Sequence, residues 1–179
     1  PLVAILLEQF VIESPHPYQQ LGADYNGRSP YYLRDRVLVA LMKSQTILQN
    51  RHPNWRIKIF DAYRPNEVQQ FMVDYAFATL IRDRNLNLEQ LSPQQQQDIW
   101  EDVYQFWAIP SNDPKTPPPH STGAAIDITL VDADGITLDM GGEIDEIGER
   151  SHPNYYANST SDLEQIYHQR RELLREVMI

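Results

Sequence analysis

Residues 117–130 read Pro-Pro-Pro-His-Ser-Thr-Gly-Ala-Ala-Ile-Asp-Ile-Thr-Leu, a proline-rich loop that runs through a glycine into an apolar segment. The prolines stiffen the approach to His120, Gly123 permits a sharp bend, and Asp127 lies in a predicted strand. Imidazole and carboxylate groups both bind Zn²⁺, so His120 and Asp127 are candidate metal ligands. On these residues alone, a surface histidine followed by an exposed strand aspartate is an equally good interpretation. Alternation predicts a core-facing side (Ala124, Ile126, Ile128, Leu130) and a second side on which Asp127 has small neighbours (Ala125, Thr129).

Length and composition indicate one packed domain. With 179 residues, 41% hydrophobic and 22% charged, the chain is long enough to bury a core. A net charge of −10, from 25 acidic and 15 basic residues, argues against nucleic acid and anionic membranes as partners and is compatible with a small zwitterionic substrate. There is no cysteine, which excludes disulfides and cysteine-based zinc sites. The apolar start, Leu2–Leu7, is too short for a membrane span and lacks the basic start of a signal peptide.

The hydrophobic pattern predicts a mixture of strands and helices. Asp132–Gly135 predicts a hairpin turn, and five prolines within 110–119 predict a rigid arm that delivers His120 rather than an interdomain linker. Ser161 followed by Glu164 predicts a capping box at the start of the last helix. The other predicted elements are a strand or buried segment at 2–12, a helix at 31–49, a buried strand at 55–63, and helices at 66–83 and 93–107.

Four blocks, in order along the chain, resemble those of the zinc D-alanyl-D-alanine dipeptidases. The residues His120-x-x-Gly123-x-Ala125-x-Asp127 are similar to most of that family's Ser-x-His-x-x-Gly-x-Ala-x-Asp signature, although Pro118 replaces the leading serine. The other blocks are Asp61-Ala62-Tyr63-Arg64-Pro65, Leu138-Asp139-Met140-Gly141, and Ile144-Asp145-Glu146 followed by Glu149-Arg150-Ser151-His152. The resemblance covers at least residues 55–153. It implies an α+β fold of the Hedgehog and DD-peptidase type, in which helices pack around a small, mainly antiparallel sheet within one metallopeptidase domain over 1–179.

The resemblance implies zinc-dependent hydrolysis of D-alanyl-D-alanine by metal-activated water. One Zn²⁺ per chain would be held by His120 and Asp127. Arg64 would be the catalytic residue that stabilises the tetrahedral oxyanion, because a guanidinium stays charged and presents a planar fork of donors. Asp61 and Tyr63 would hold Arg64 in place.

Substrate recognition is the second role that the resemblance assigns. Asp145 would bind the free ammonium of the dipeptide, since a carboxylate is its natural partner. A solvated acidic loop is the alternative for that segment. Tyr25 is a further candidate for substrate binding, and the remaining supporting residues are Ser121, Gly123 and His152.

The third zinc ligand and the catalytic glutamate of the family lie in a Glu-x-x-His motif after the final helix, and the sequence ends at Ile179 before any such motif. We therefore expect either a longer chain with a further C-terminal strand or a protein that cannot perform the full reaction. The rival functions are a peptidoglycan carboxypeptidase or endopeptidase of the same fold and an inactive peptide-binding relative. The partner expected is a small dipeptide in a bacterial protein, cytoplasmic or periplasmic, with no prediction of oligomeric state.

Overall fold

The computed structural model describes residues 1–179, and its architecture is α+β, as predicted. The five helices are α1 (Pro17–Gln20), α2 (Asp35–Arg51), α3 (Asn66–Asp83), α4 (Pro93–Tyr104) and α5 (Asp162–Met178). The five strands are β1 (Leu2–Ala4), β2 (Val11–Ile12), β3 (Tyr32–Arg34), β4 (Arg56–Asp61) and β5 (Asp127–Val131). Short 3₁₀ helices lie at Leu88–Gln90, Pro119–Thr122 and Glu149–Ser151. No helix combines the length and the hydrophobicity needed to cross a bilayer.

The strands form two small sheets. β1 pairs with β3 in antiparallel fashion, while β2, β4 and β5 form a second sheet in which β4 is central. β2 runs parallel and β5 antiparallel to β4. Ile59 lies opposite Ile128, whereas Asp61 lies opposite Asp127, so Phe60 is an extra residue in β4. Because such a bulge inserts one residue into a single strand, it brings the two carboxylates to facing positions at one end of the sheet.

Local signals predicted most of the helices well. α3 begins at Asn66 and ends at Asp83, as predicted from its hydrophobic period and from Pro65 before it. α4 begins at Pro93 with a complete capping box between Ser92 and Gln95, and it ends at Tyr104, three residues earlier than predicted. The predicted hairpin turn after β5 is confirmed, since the Leu138 amide donates to the Leu130 carbonyl.

Three boundaries differ from the prediction. The segment predicted as one strand at 2–12 is two short strands in different sheets. The helix predicted from residue 31 begins at Asp35, because residues 32–34 pair with β1 instead. Ser161 is the N-cap residue of α5, but the predicted capping box does not form, since the Ser161 side chain makes no capping bond and Glu164 accepts from Ser159.

The buried side chains form two clusters that meet at the chain segment between β4 and α3. One cluster packs α2 and α5 on the three-stranded sheet, and its fully buried members include Leu33, Leu48, Ile57, Ile59 and Leu130. The other joins α3 and α4 with the loop after α1, and includes Tyr18, Tyr25, Val68, Val73 and Val103. Asp61 and Arg64 lie at this junction, and both are almost completely buried.

Candidate active site

His120 is held in a fixed orientation within the 3₁₀ turn Pro119–Thr122. Its Nδ1 lies 2.7 Å from the carbonyl oxygen of Ala62. Because a carbonyl only accepts, Nδ1 carries the proton and donates, which leaves the Nε2 lone pair free. Nε2 lies 3.5 Å from Oδ1 of Asp127. Ser121 supports the turn, since its hydroxyl donates to the Pro118 carbonyl at 2.8 Å.

Gly123 makes the bend between this turn and the segment that leads to β5. Its φ of 70° lies in the left-handed region, where a side chain is strained. A Cβ at this position would clash with the Leu2 side chain, and the Gly123 carbonyl accepts from the Arg34 amide at 2.8 Å. The predicted bend at Gly123 is therefore confirmed, and the hydrogen bond from Arg34 in β3 stabilises it.

Arg64 presents all of its guanidinium nitrogens to acceptors. Nε donates to Asp61 Oδ2 at 2.9 Å, and Nη1 donates to Gln69 Oε1 at 2.9 Å. Nη2 donates both to the Tyr18 hydroxyl at 3.1 Å and to Asp127 Oδ2 at 3.0 Å. Although burial disfavours the charged form, the neighbouring oxygens, those of Tyr18 and Asp61 first, raise the pKa of Arg64 further above its ordinary value, so it stays cationic. The four bonds fix the plane of the fork beside Asp127.

Asp61 joins Arg64 to His16 through hydrogen bonds to its two carboxylate oxygens. It is fully buried, its Oδ1 accepts from His16 Nε2 at 3.0 Å and from the Tyr25 hydroxyl at 3.2 Å, and its Oδ2 accepts from Arg64. Oδ2 also lies 3.6 Å from His120 Nδ1. Burial raises the pKa of Asp61, but the hydrogen bond from His16 and the charge of Arg64 outweigh burial and lower it, so the carboxylate is ionised.

Asp145 lines the cavity from the loop after the Leu138–Gly141 block. Its backbone is in the left-handed region, with a φ of 63°, and its Oδ2 accepts from the Tyr18 hydroxyl at 2.6 Å. Tyr18 thus joins Asp145 to Arg64, because the same hydroxyl accepts from Arg64 Nη2. Although the residue as a whole is exposed, desolvation of its carboxyl group raises the pKa of Asp145 to about 6, and the nearby Asp127 charge adds to this effect.

A cavity of about 1030 Å³ contains the site. Arg64, His120, Asp127 and Asp145 line it, together with Phe60, Gln69 and Trp107. One cavity is therefore lined by the imidazole of His120, the carboxylates of Asp127 and Asp145, and the guanidinium of Arg64.

Three residues predicted from the sequence lie away from this cavity. Tyr25 is buried behind Asp61 and donates to it, so its position is that of a supporting residue rather than of a substrate contact. Tyr63 is bound through its amide to the Pro30 carbonyl and is not among the partners of Arg64. His152 is exposed, and its carbonyl accepts from Arg171.

The donor set fits a metal ion. Ligand atoms of Asp61, His120 and Asp127 lie within 4.8 Å of one another. The oxygens of Asp61 already accept from three donors, so it is poorly placed to bind a cation as well. The 3.5 Å between His120 Nε2 and Asp127 Oδ1 is close to the ~3.3 Å that separates two ligands around a tetrahedral ion with bonds of about 2 Å. Although burial lowers the pKa of His120, the contact with Asp127 outweighs it and raises the pKa, so a proton competes for the same nitrogen.

Sequence reasoning missed three residues of this network, namely His16, Tyr18 and Gln69. Gln69 holds Arg64 Nη1 and donates to the Ala108 carbonyl at 2.7 Å. His16 and Tyr18 stand in Pro15-His16-Pro17-Tyr18, and a histidine between two prolines is a signal that could have marked the segment as rigid. Nothing in the pattern around Gln69 distinguishes it from the other polar residues of α3.

The fold and the site together are those of a peptidase, and Asp61, His120 and Asp127 form a group of residues with the geometry to hold a metal ion. The family model for D-ala-D-ala dipeptidase, Peptidase M15, matches residues 12–179, and the chain belongs to this family. It is 51% identical over 185 residues to the D-alanyl-D-alanine dipeptidase of Synechocystis sp., an alignment that covers 99% of this chain and 74% of that protein. It is 35% identical over 120 residues to the D-alanyl-D-alanine dipeptidase of Escherichia coli, covering 67% of this chain and 46% of that protein.

Proposed function

We propose that the protein is a zinc-dependent dipeptidase that hydrolyses D-alanyl-D-alanine. Both curated relatives carry the name of this activity. The observation that carries the proposal is a single cavity lined by His120, Asp127 and Arg64, in which Asp145 is joined to Arg64 through the Tyr18 hydroxyl. Such a space can hold the scissile carbonyl beside His120, Asp127 and Arg64 and the substrate ammonium beside Asp145.

His120 Nε2 and Asp127 Oδ1 are the proposed protein ligands of the metal. The nitrogen and oxygen donors suit Zn²⁺, and the hydrogen bond from Nδ1 to Ala62 orients the ring for binding. When bound, the metal supplies a Lewis acid that polarises a carbonyl and lowers the pKa of water. The resemblance assigns a third ligand and a general base to a Glu-x-x-His motif, so we propose that the complete site draws on that motif as well.

Arg64 is the proposed stabiliser of the oxyanion that forms during hydrolysis. Its guanidinium lies at the cavity wall beside Asp127, and its four hydrogen bonds hold it there before any substrate arrives. A charged group that is already oriented lowers the barrier without reorganising during the reaction.

Asp145 is the proposed partner of the substrate ammonium. Tyr18 donates to Oδ2 of this carboxylate, which leaves Oδ1 available to the ligand. A charge-assisted hydrogen bond between ammonium and carboxylate is stronger than a neutral one. This contact would distinguish a free dipeptide from the longer, blocked peptides on which a carboxypeptidase or endopeptidase acts.

The test compares D-alanyl-D-alanine with its N-acetyl derivative as substrates of the full-length protein. Losing one side of a buried charge pair costs roughly 2–5 kcal/mol, or about 30-fold to several-thousand-fold in kcat/KM. The acetylated dipeptide should be disfavoured by that factor, and Asp145→Asn should lower kcat/KM for the free dipeptide to a similar extent while zinc content stays unchanged. Glu149→Gln, an exposed change in the same loop, is the matched control and should behave as wild type.

Comparable kcat/KM values for the free and acetylated dipeptides would refute the dipeptidase assignment and favour a peptidase of longer cell-wall peptides. Binding of the dipeptide without turnover would favour the inactive relative instead. Removal of metal by a chelator should abolish turnover, and re-addition of Zn²⁺ should restore it.

A further inference from the structure

His16 is a buried histidine that lies outside the cavity. It precedes α1 and is 4% exposed. Its Nε2 lies 3.0 Å from Oδ1 of Asp61, and because an ionised carboxylate only accepts, Nε2 is the donor. Its Nδ1 is buried without a hydrogen-bond partner. A polar ring buried with one nitrogen unsatisfied carries a cost, and packing alone would be served better by an apolar side chain.

Three tyrosine rings surround His16. The centroids of Tyr18 and Tyr25 lie 5.3 Å from that of His16, and the centroid of Tyr31 lies 5.5 Å away. All three meet the imidazole edge to face, at interplanar angles between 69° and 80°. This arrangement is a favourable geometry for aromatic pairs and fixes the plane of the imidazole. Nε2 is therefore aimed at Asp61 by its surroundings.

The direction of the Asp61 carboxylate depends on that bond. Rotation about the terminal torsion of an aspartate meets only a broad, shallow preference, so its neighbours determine where the two oxygens point. Without His16, the only donor left to Oδ1 is the Tyr25 hydroxyl at 3.2 Å. A rotated carboxylate would carry Oδ2 away from Arg64 Nε, to which it is bound at 2.9 Å, and from His120 Nδ1 at 3.6 Å.

We propose that His16 is a positioning residue for the proposed peptidase reaction, on which this inference rests: through Asp61 it fixes the fork of Arg64. His16 touches neither the cavity nor the metal ligands, so it acts only through the carboxylate. Its role is to keep the guanidinium of Arg64, the proposed oxyanion stabiliser, in its orientation at the cavity wall.

The test removes and then restores the donor in the full-length protein. His16→Leu removes it at similar volume. His16→Gln places an amide nitrogen near the position of Nε2, whereas His16→Asn is one methylene too short to reach Asp61. Misplacing a catalytic group by about 1 Å can cost about 10²-fold in rate. His16→Leu and His16→Asn should therefore lower kcat for D-alanyl-D-alanine about tenfold or more, with KM changed by less than about threefold, and His16→Gln should recover most of the loss.

Tyr31→Phe is the matched control, because it alters the same aromatic cage without touching Asp61 and should keep the wild-type kcat. A second readout does not depend on turnover. The Nε–H resonance of Arg64 in the metal-free protein, identified by its absence in Arg64→Lys, should shift and exchange faster with solvent in the Leu and Asn variants and return in the Gln variant.

Wild-type kcat in His16→Leu, or a Gln variant as slow as the Asn variant, would overturn the proposal. If His16→Leu does not fold, the comparison of kcat between His16→Gln and His16→Asn tests the proposal without it. If the wild-type protein fails to hydrolyse the dipeptide, the proposed function is wrong. The Arg64 resonance would still show whether His16 orients the guanidinium of Arg64. An unchanged resonance in the Asn variant would overturn the inference itself.

Discussion

Arg64→Lys is the sharpest perturbation of the site, because it keeps the charge and removes the fork. Arg64 donates to four acceptors, on Asp61, Gln69, Tyr18 and Asp127. A lysine ammonium has three protons on one nitrogen, so at least one of these buried acceptors loses its donor, at a cost of about 1–3 kcal/mol in the free energy of unfolding. Losing a preorganised oxyanion donor lowers kcat by about 10²- to 10³-fold. Steady-state kinetics, urea unfolding and metal analysis of the full-length variant measure the two effects and confirm that zinc is retained.

Arg82→Lys is the matched control, since Arg82 lies on the exposed side of α3 and its ion pair with Asp83 is at the surface. It should change neither kcat nor the unfolding midpoint. The reasoning would be refuted if Arg64→Lys retained turnover within a few-fold of wild type, because the four-bond fork would then be unnecessary for the reaction. A loss of stability without a loss of turnover would make Arg64 a structural residue.

Two further predictions concern the proposed metal ligands, His120 and Asp127, and the acidic residue Asp145. His120→Ala or Asp127→Ala should abolish stoichiometric zinc binding in the full-length protein, and metal analysis showing unchanged zinc in both variants would remove the pair from the site. Asp145 has a pKa raised to about 6, above the unfolded value of about 3.9, so its contribution to stability is complete below about pH 4 and is lost as the pH rises through about 6. In metal-free protein, Asp145→Asn should therefore gain stability relative to wild type between pH 4 and pH 7, and parallel urea midpoints across that range would contradict the assigned environment.

The parts of the fold that the sequence predicted depend on local signals. The bounds of α3 follow from a proline at its start and an apolar period within it, and both act over a few residues. The start of α2 could not be predicted in this way, because Tyr32–Arg34 forms a strand only through pairing with β1, some thirty residues earlier in the chain. Pairing over such a separation is a tertiary contact that overrides the helical pattern.

In the candidate site too, local sequence signals predicted some residues, whereas others are placed only by contacts between distant parts of the chain. His120 and Asp127 are near neighbours in sequence, so their spacing alone made them candidates. The hydrogen bonds that hold the other charged residues of the site link distant parts of the chain. Tyr18 is bonded to Arg64 and Asp145, which are 46 and 127 positions away, and His16 is bonded to Asp61, which is 45 positions away. The bulge at Phe60 is equally non-local, since it exists only against β5. The sequence motif therefore identifies the candidate ligands His120 and Asp127, whereas the residues that orient Asp61 and Arg64 are brought together only by the fold.

The charges of the site explain why it should prefer a zwitterionic dipeptide. The negative charge of Asp61 is matched by Arg64 and by the hydrogen bonds from His16 and Tyr25. Arg64 is shared with Asp127, so its single positive charge faces two carboxylates before Asp145 is counted. The resulting excess of negative charge on the cavity wall favours cations at two places, a metal between His120 and Asp127 and an ammonium beside Asp145. Desolvation is the main cause of the raised pKa of Asp145, and the charge of Asp127 adds to it. An N-acetylated dipeptide carries only a negative charge, on its carboxylate, into this negatively charged cavity. The free dipeptide also carries an ammonium, whose positive charge offsets the excess negative charge of the cavity wall.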